Sequence, residues 1–120
     1  MITAGIKPTR QDLEIIQGAT MRLALVWEQP AGTPVNLTGW SARLQIRINR
    51  NSPVLFEMST ANGRITLGTN DGHIDLNASA SETDVLDFSS AMYDLDMISP
   101  GNEVTTLLSG KIFLNPGVVH

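Results

Sequence analysis

Residues 42–48 read Ala-Arg-Leu-Gln-Ile-Arg-Ile, apolar and polar in strict alternation. On a helix Arg43, Gln45 and Arg47 would scatter around the circumference. On a strand they share one face, and Ala42, Leu44, Ile46 and Ile48 share the other. The stretch is therefore a half-buried strand with a basic outer side. The same period recurs where Met21, Leu23, Leu25 and Trp27 alternate with Arg22, Ala24, Val26 and Glu28. It recurs again where Tyr93, Leu95 and Met97 alternate with Asp94 and Asp96. Residues 104–114 form a longer strand with Thr, Ser and Lys interspersed. Residues 13–17 open the series, and 53–58, 64–67 and 73–77 supply shorter members.

Turn chemistry separates these runs. Gly18-Ala19-Thr20, Ala31-Gly32-Thr33-Pro34 and Asn62-Gly63 punctuate the chain. Asn70-Asp71-Gly72 and Pro100-Gly101-Asn102 each join two alternating segments and read as hairpins. About eight strands with a turn every eight to twelve residues predict an all-β, two-sheet antiparallel sandwich. Trp27 and Trp40 are its expected large core anchors. One segment departs from the period. Ser79-Ala80-Ser81-Glu82 has the form of a capping box, and residues 83–87 would then make a short helix crossing from one edge to the other. Val85 and Leu86 are expected to tuck under the sheet. Residues 1–11 show no alternation and read as an extended N-terminal arm, leaving 12–120 as the sandwich domain.

A chain of 120 residues suits one domain and can bury a true core. It has no cysteine, which excludes disulfide staples and thiolate metal sites. Its net charge of −4 argues against general nucleic-acid binding. No apolar run reaches the roughly 18 residues of a membrane span. The first twelve residues lack the apolar stretch of a signal peptide, so the expectation is a soluble protein not exported by that route. The charge is unevenly spread: residues 1–50 carry a net +3 and residues 51–120 a net −7. Solvated faces account for such a split, and so does head-to-tail assembly in which one copy's basic side meets the next copy's acidic side.

Catalytic chemistry is poorly represented. His73 and His120 are the two histidines. His73 follows a turn and His120 is the last residue given, and neither has convergent partners at a fixed spacing. Asp94 and Asp96 face one way on a strand, about 7 Å apart. A divalent ion takes more oxygen ligands than two, so an exposed strand face pairing with a neighbouring Arg or Lys is the simpler expectation. The glycines stand singly at turns and form no phosphate-cradling run. No cofactor, metal or catalytic residue is expected. The residues with most to offer a protein contact are Lys7, Arg10, Arg43, Arg47, Asp94 and Asp96. The long strand at 104–114 would serve as an exposed pairing edge.

Several segments also match a known pattern in order and spacing. They are Glu14-Ile15-Ile16-Gln17-Gly18-Ala19-Thr20, the strand ending at Trp27, and the run from Thr33-Pro34-Val35-Asn36-Leu37-Thr38-Gly39-Trp40 to Ser41-Ala42-Arg43-Leu44-Gln45-Ile46-Arg47. Asn62-Gly63-Arg64-Ile65-Thr66-Leu67-Gly68, Ser81-Glu82-Thr83, Tyr93-Asp94-Leu95 and Leu108-Ser109-Gly110-Lys111 follow in turn. Together they cover roughly residues 13–115. In these pieces the chain resembles a family of small phage proteins, similar to the β-sandwich proteins that form a collar on siphophage tails and attach side tail fibres. The resemblance implies an immunoglobulin-like sandwich, a ring- or lattice-forming oligomer, no enzyme activity, and a place in the virion after synthesis in the bacterial host cytoplasm. It implies partners in the tail tube, the baseplate or the fibre. A head decoration protein bound to the major capsid protein is the alternative expectation. A carbohydrate-binding module stands lower, because the two tryptophans are needed in the core, and an enzyme stands last.

Overall fold

The structure is a computed structural model, and it describes residues 2–3, 9–29 and 32–117. Eight strands longer than two residues are present among them: β3 (Leu13–Ile16), β4 (Met21–Glu28), β5 (Ser41–Arg47), β6 (Val54–Ser59), β7 (Ile65–Leu67), β8 (His73–Ala78), β9 (Ser90–Ile98) and β10 (Val104–Asn115). Two-residue strands β1 (Ile2–Thr3) and β2 (Thr9–Arg10) precede them, and one helix, α1 (Ala80–Asp84), lies between β8 and β9.

The strands divide into two sheets. One has the order β1-β4-β8-β7. The other has the order β2-β10-β9-β5-β6, with β3 also paired to β10. The hairpins β7–β8 and β9–β10 form where the turn residues placed them, and both are antiparallel. Alternation sorts each strand into an inner and an outer face. Ala42, Leu44 and Ile46 of β5, Tyr93, Leu95 and Met97 of β9, and Ile74, Leu76 and Ala78 of β8 are all buried. Removing each large apolar side chain from water contributes roughly 1.5–3 kcal/mol, which is what holds the two layers together. Trp27 is buried and Trp40 half-buried, and their rings meet edge to face with centroids 5.2 Å apart.

Two glycines make the layers fit. Gly72 has φ +69°, and a Cβ there would run into the carbonyl oxygen of Trp27. The β7–β8 turn can therefore sit against β4, where Trp27 N–H donates to the Gly72 carbonyl at 2.9 Å. Gly110 has φ +155°, and a Cβ there would lie 2.5 Å from the Gln11 carbonyl oxygen. Its bare backbone lets the chain between β2 and β3 lie against β10. Gln11 N–H donates to Ser109 O at 2.8 Å, and Lys111 N–H donates to Asp12 Oδ1 at 3.0 Å.

Three expectations change. Strand β10 is no free edge: β9 pairs with it on one side, and β2 and β3 pair with it in parallel on the other. The N-terminal chain covers the strand that was expected to be open. The helix lies earlier than residues 83–87, because a capping box with Ser79 as N-cap starts the helix at the next residue. It also links the two sheets, running from β8 to β9, instead of joining two edges. Finally, Leu86 is buried but Val85 is 77% exposed. With the helix ending at Asp84, the two neighbours leave it in opposite directions.

Of residues 1–11, expected as an arm, the described part is laid on the sandwich. Ile2–Thr3 pairs in parallel with Trp27 and Glu28, and Thr9–Arg10 pairs with Leu108 and Ser109. This stretch thus supplies a strand to each sheet.

Candidate interaction face

The outer face of the larger sheet is built by the odd residues of β5, the even residues of β9 and the matching positions of β10. Register then sets the neighbours. Arg43 stands opposite Asp96, Gln45 opposite Asp94 and Arg47 opposite Met92. On the other side of β9, Asp96 faces Thr106, Asp94 faces Ser109 and Met92 faces Lys111. Arg10 of β2 stands next to Ser109. Five of the six residues singled out from the sequence therefore share one face: Arg10, Arg43, Arg47, Asp94 and Asp96. Lys7 lies outside the described residues.

A groove of about 410 Å³ crosses this face, with Arg47, Arg50, Met92, Asp94 and Lys111 among its lining residues. Its charges differ in how they are engaged. Asp96 accepts from Thr106 Oγ1 at 2.8 Å and pairs with Arg43 at 3.5 Å. This is the cross-strand pairing expected of an exposed polar face. Arg47 is held by the Ser52 carbonyl at 2.6 Å and by Gln45 Oε1 at 3.1 Å. Arg10 reaches Asp12 at 3.6 Å. Among the described residues, Arg50, Asp94 and the Lys111 ammonium make no side-chain hydrogen bond or ion pair within the sandwich. Removal from water and the nearby Asp96 carboxylate push the Asp94 carboxyl above its ordinary range, with Arg50 pulling the other way.

Beneath the groove Tyr93 is buried, and its hydroxyl donates to the Gln11 carbonyl at 2.5 Å. Burial, with the negative charges of Asp12 and Asp94, pushes the phenol up to about 12.

Apolar side chains are also exposed on this sheet. Val54, Leu55, Met92, Val104 and Phe113 are each 38–56% exposed. Its outer edge is guarded. Along β6, Asn62 Nδ2 and Arg64 Nη1 both donate to the Glu57 carbonyl, at 3.0 and 2.9 Å, and Asn62 Oδ1 accepts from Ser59 N–H at 2.9 Å. The Arg64 guanidinium lies over the Phe56 ring, 4.7 Å from its centroid. Side chains that occupy the backbone groups of an edge prevent strand addition there. The sheet presents its face for contact, and side chains occupy part of its β6 edge.

A second surface lies at the α1 corner. Ser79 Oγ accepts from Glu82 N–H, and the Glu82 carboxylate accepts from Ser79 N–H. Arg64 forms an ion pair with the same carboxylate. Backbone and Arg64 hydrogen bonds together hold Glu82 below its ordinary carboxylate range. Thr83 is fully buried: its Oγ1 donates to Ala19 O at 2.8 Å and accepts from Gly18 N–H at 3.1 Å. Gln17 Nε2 donates to the carbonyls of Asp84 and Leu86, both at 2.9 Å. The corner that carries Val85 is thus tied to the turn at residues 17–19 from several directions.

Sequence reasoning missed Met92, Arg50 and Lys111. Met92 was within reach, because it is in phase with Asp94 and Asp96. Lys111 joins the site through strand register, which alternation does not reveal. His73 sits on the outer side of β8 with Nδ1 3.5 Å from Asp71 Oδ2, and His120 lies outside the described residues. Among the described residues no three His, Asp or Glu side chains converge as metal ligands.

No family model matches the sequence, and no curated protein matches it. Solved structures do match in shape. A chicken T-cell receptor structure superposes with a TM-score of 0.53 at 8% identity, covering 99% of this chain and 57% of that one. A chain in the structure of ICOS bound to ICOS-L and an anti-ICOS-L VNAR domain gives a TM-score of 0.40 at 11% identity, covering 92% and 56%. The extracellular domain of the voltage-gated sodium channel beta-4 subunit, solved as a parallel homodimer, gives 0.38 at 19% identity, covering 98% and 92%. The chain spans little more than half the length of the first two. At such identities the likeness concerns the fold. With the two sheets and their order, the T-cell receptor superposition makes this chain an immunoglobulin-like two-sheet sandwich.

Proposed function

We propose that the protein is a structural subunit of a phage virion, a tail collar or tail-fibre attachment subunit that acts by protein–protein assembly and catalyses no reaction. The observation that carries this reading is the ordered set of segments from Glu14 to Lys111, which resembles the collar-forming family along most of the chain. The outer face of the larger sheet supports it. That face combines exposed apolar side chains with charges of both signs, the composition of a docking surface. Immunoglobulin-like sandwiches commonly work as binding modules.

The test is the position of the protein in assembled particles. Immunogold labelling should mark the tail, and deletion of the gene should yield particles without side fibres. Particles that keep their fibres in the deletion strain overturn the assignment. A pull-down against purified heads and purified tails should recover tails. Recovery of heads alone would move the protein to the capsid as a decoration subunit.

A further inference from the structure

The α1 corner and the sheet groove have opposite chemistry. The corner presents Val85, the most exposed of the large apolar side chains among the described residues at 77%, between the exposed carboxylates of Asp84 and Asp87. The groove presents Met92, 43% exposed, among the basic side chains of Arg10, Arg47, Arg50 and Lys111, which outnumber the carboxylates of Asp94 and Asp96 in the same lining. One surface is acid, apolar, acid; the other surrounds an apolar centre with more basic groups than acidic ones. No α1 residue lines the groove of its own chain.

A single exposed valine is unremarkable on a protein surface. The bracing around this one is not. Gln17 grips the carbonyls on both sides of Val85, and the buried Thr83 hydroxyl fixes the preceding turn. The capping box and the Arg64–Glu82 pair fix the start of the same short helix. A rigid projecting side chain loses little freedom when it docks, so such a corner suits recognition. Among the described residues, Arg50 and the Lys111 ammonium of the receiving groove make no side-chain hydrogen bond or ion pair.

We propose that the Asp84-Val85-Leu86-Asp87 corner of one copy docks into the Arg47/Arg50/Met92/Lys111 groove of a second copy. The contact is heterologous, joining two different patches. Repetition therefore generates a closed ring or an open filament, depending on the rotation between copies. This rests on the reading of the chain as an assembling subunit, and it names the surfaces that assemble.

The chain has no cysteine, so introduced thiols report on a defined pair of positions. Purified Val85→Cys and Met92→Cys chains, mixed under mild oxidation, should form the mixed disulfide in preference to either homotypic one. Predominance of Met92–Met92 links would show face-to-face pairing and overturn the proposal. Sedimentation then tests the charges. Arg50→Glu with Lys111→Glu, or Asp84→Lys with Asp87→Lys, should each weaken self-association by at least about tenfold, and a mixture of the two reversed chains should recover it. Circular dichroism and melting temperature establish that each variant remains folded. A wild-type chain that stays monomeric at high concentration, or reversed chains that assemble as the wild type does, overturns the proposal. The virion reading fails on different evidence, since a chain absent from particles could still self-associate through these patches.

Discussion

Tyr93 shows what one buried hydroxyl does in this sandwich. Its ring is part of the core and its oxygen anchors the N-terminal segment through the Gln11 carbonyl. It is the only tyrosine, so ultraviolet titration should report one phenol ionising near 12 instead of its ordinary 10.0. The folded value is the higher one, so the stabilisation it contributes is complete below about 10. It is then lost as the pH rises toward 12, because the unfolded chain ionises first. Tyr93→Phe should remove this pH dependence above 10 and cost about 1 kcal/mol at neutral pH by chemical denaturation. Gly110 is the companion case. Gly110→Ala introduces a Cβ against the Gln11 carbonyl at an unfavourable φ. A loss of roughly 1–3 kcal/mol is expected, checked by the denaturation midpoint. A neutral result would show that the β2–β3 segment shifts freely away from β10.

At the scale of elements, α1 is five residues long and depends on its ends. Ser79→Ala removes the side chain that accepts from Glu82 N–H, and should lower stability by about 1 kcal/mol. Glu82 adds a pH dependence. Its folded pKa is depressed, so its contribution is present above the unfolded value and fades as the pH falls through the folded one. Glu82→Gln should flatten the acid limb of the stability curve, as followed by circular dichroism. An unchanged acid limb would mean that neither the Ser79 N–H hydrogen bond nor the Arg64 pair contributes in solution. The strands were legible because alternation records a one-sided environment. The position of the helix was less so: Ser79 and Glu82 fix its start at Ala80 and carry nothing about its end. Val85 shows the consequence: both it and its neighbour are apolar, and only the end of the helix decides which of them turns outward.

The whole molecule is organised around β9, which is paired on both sides and contributes Tyr93, Leu95 and Met97 to the core. Its amides and those of β5 should exchange hydrogen most slowly, while those of β1 and the outer edge of β6 exchange faster. Leu95→Ala should cost about 2–5 kcal/mol, read from thermal or denaturant unfolding. Slow exchange confined to the smaller sheet would overturn this ranking. The distribution of surface charge also belongs to this scale. The +3 and −7 halves of the chain do not become two opposite sides. Arg43 lies across from Asp96 on neighbouring strands of one sheet, and Arg64 reaches Glu82 on the helix. Among the described residues, Arg50, Lys111 and Asp94 in the groove and Asp84 and Asp87 at the corner are some of the charges that no ion pair takes up.

The sequence by itself determined that this chain forms strands with one dry face, where the hairpins turn, and that a capped helix interrupts the series. Those features depend on residues two to four apart, and the period of the side chains carries them. The tertiary structure decided which strands are neighbours, that the N-terminal segment covers β10, and that Met92, Arg50 and Lys111 join the face built by Arg43, Arg47, Asp94 and Asp96. Register between strands distant in sequence is set by the packing of all the inner faces at once, and no local pattern contains it.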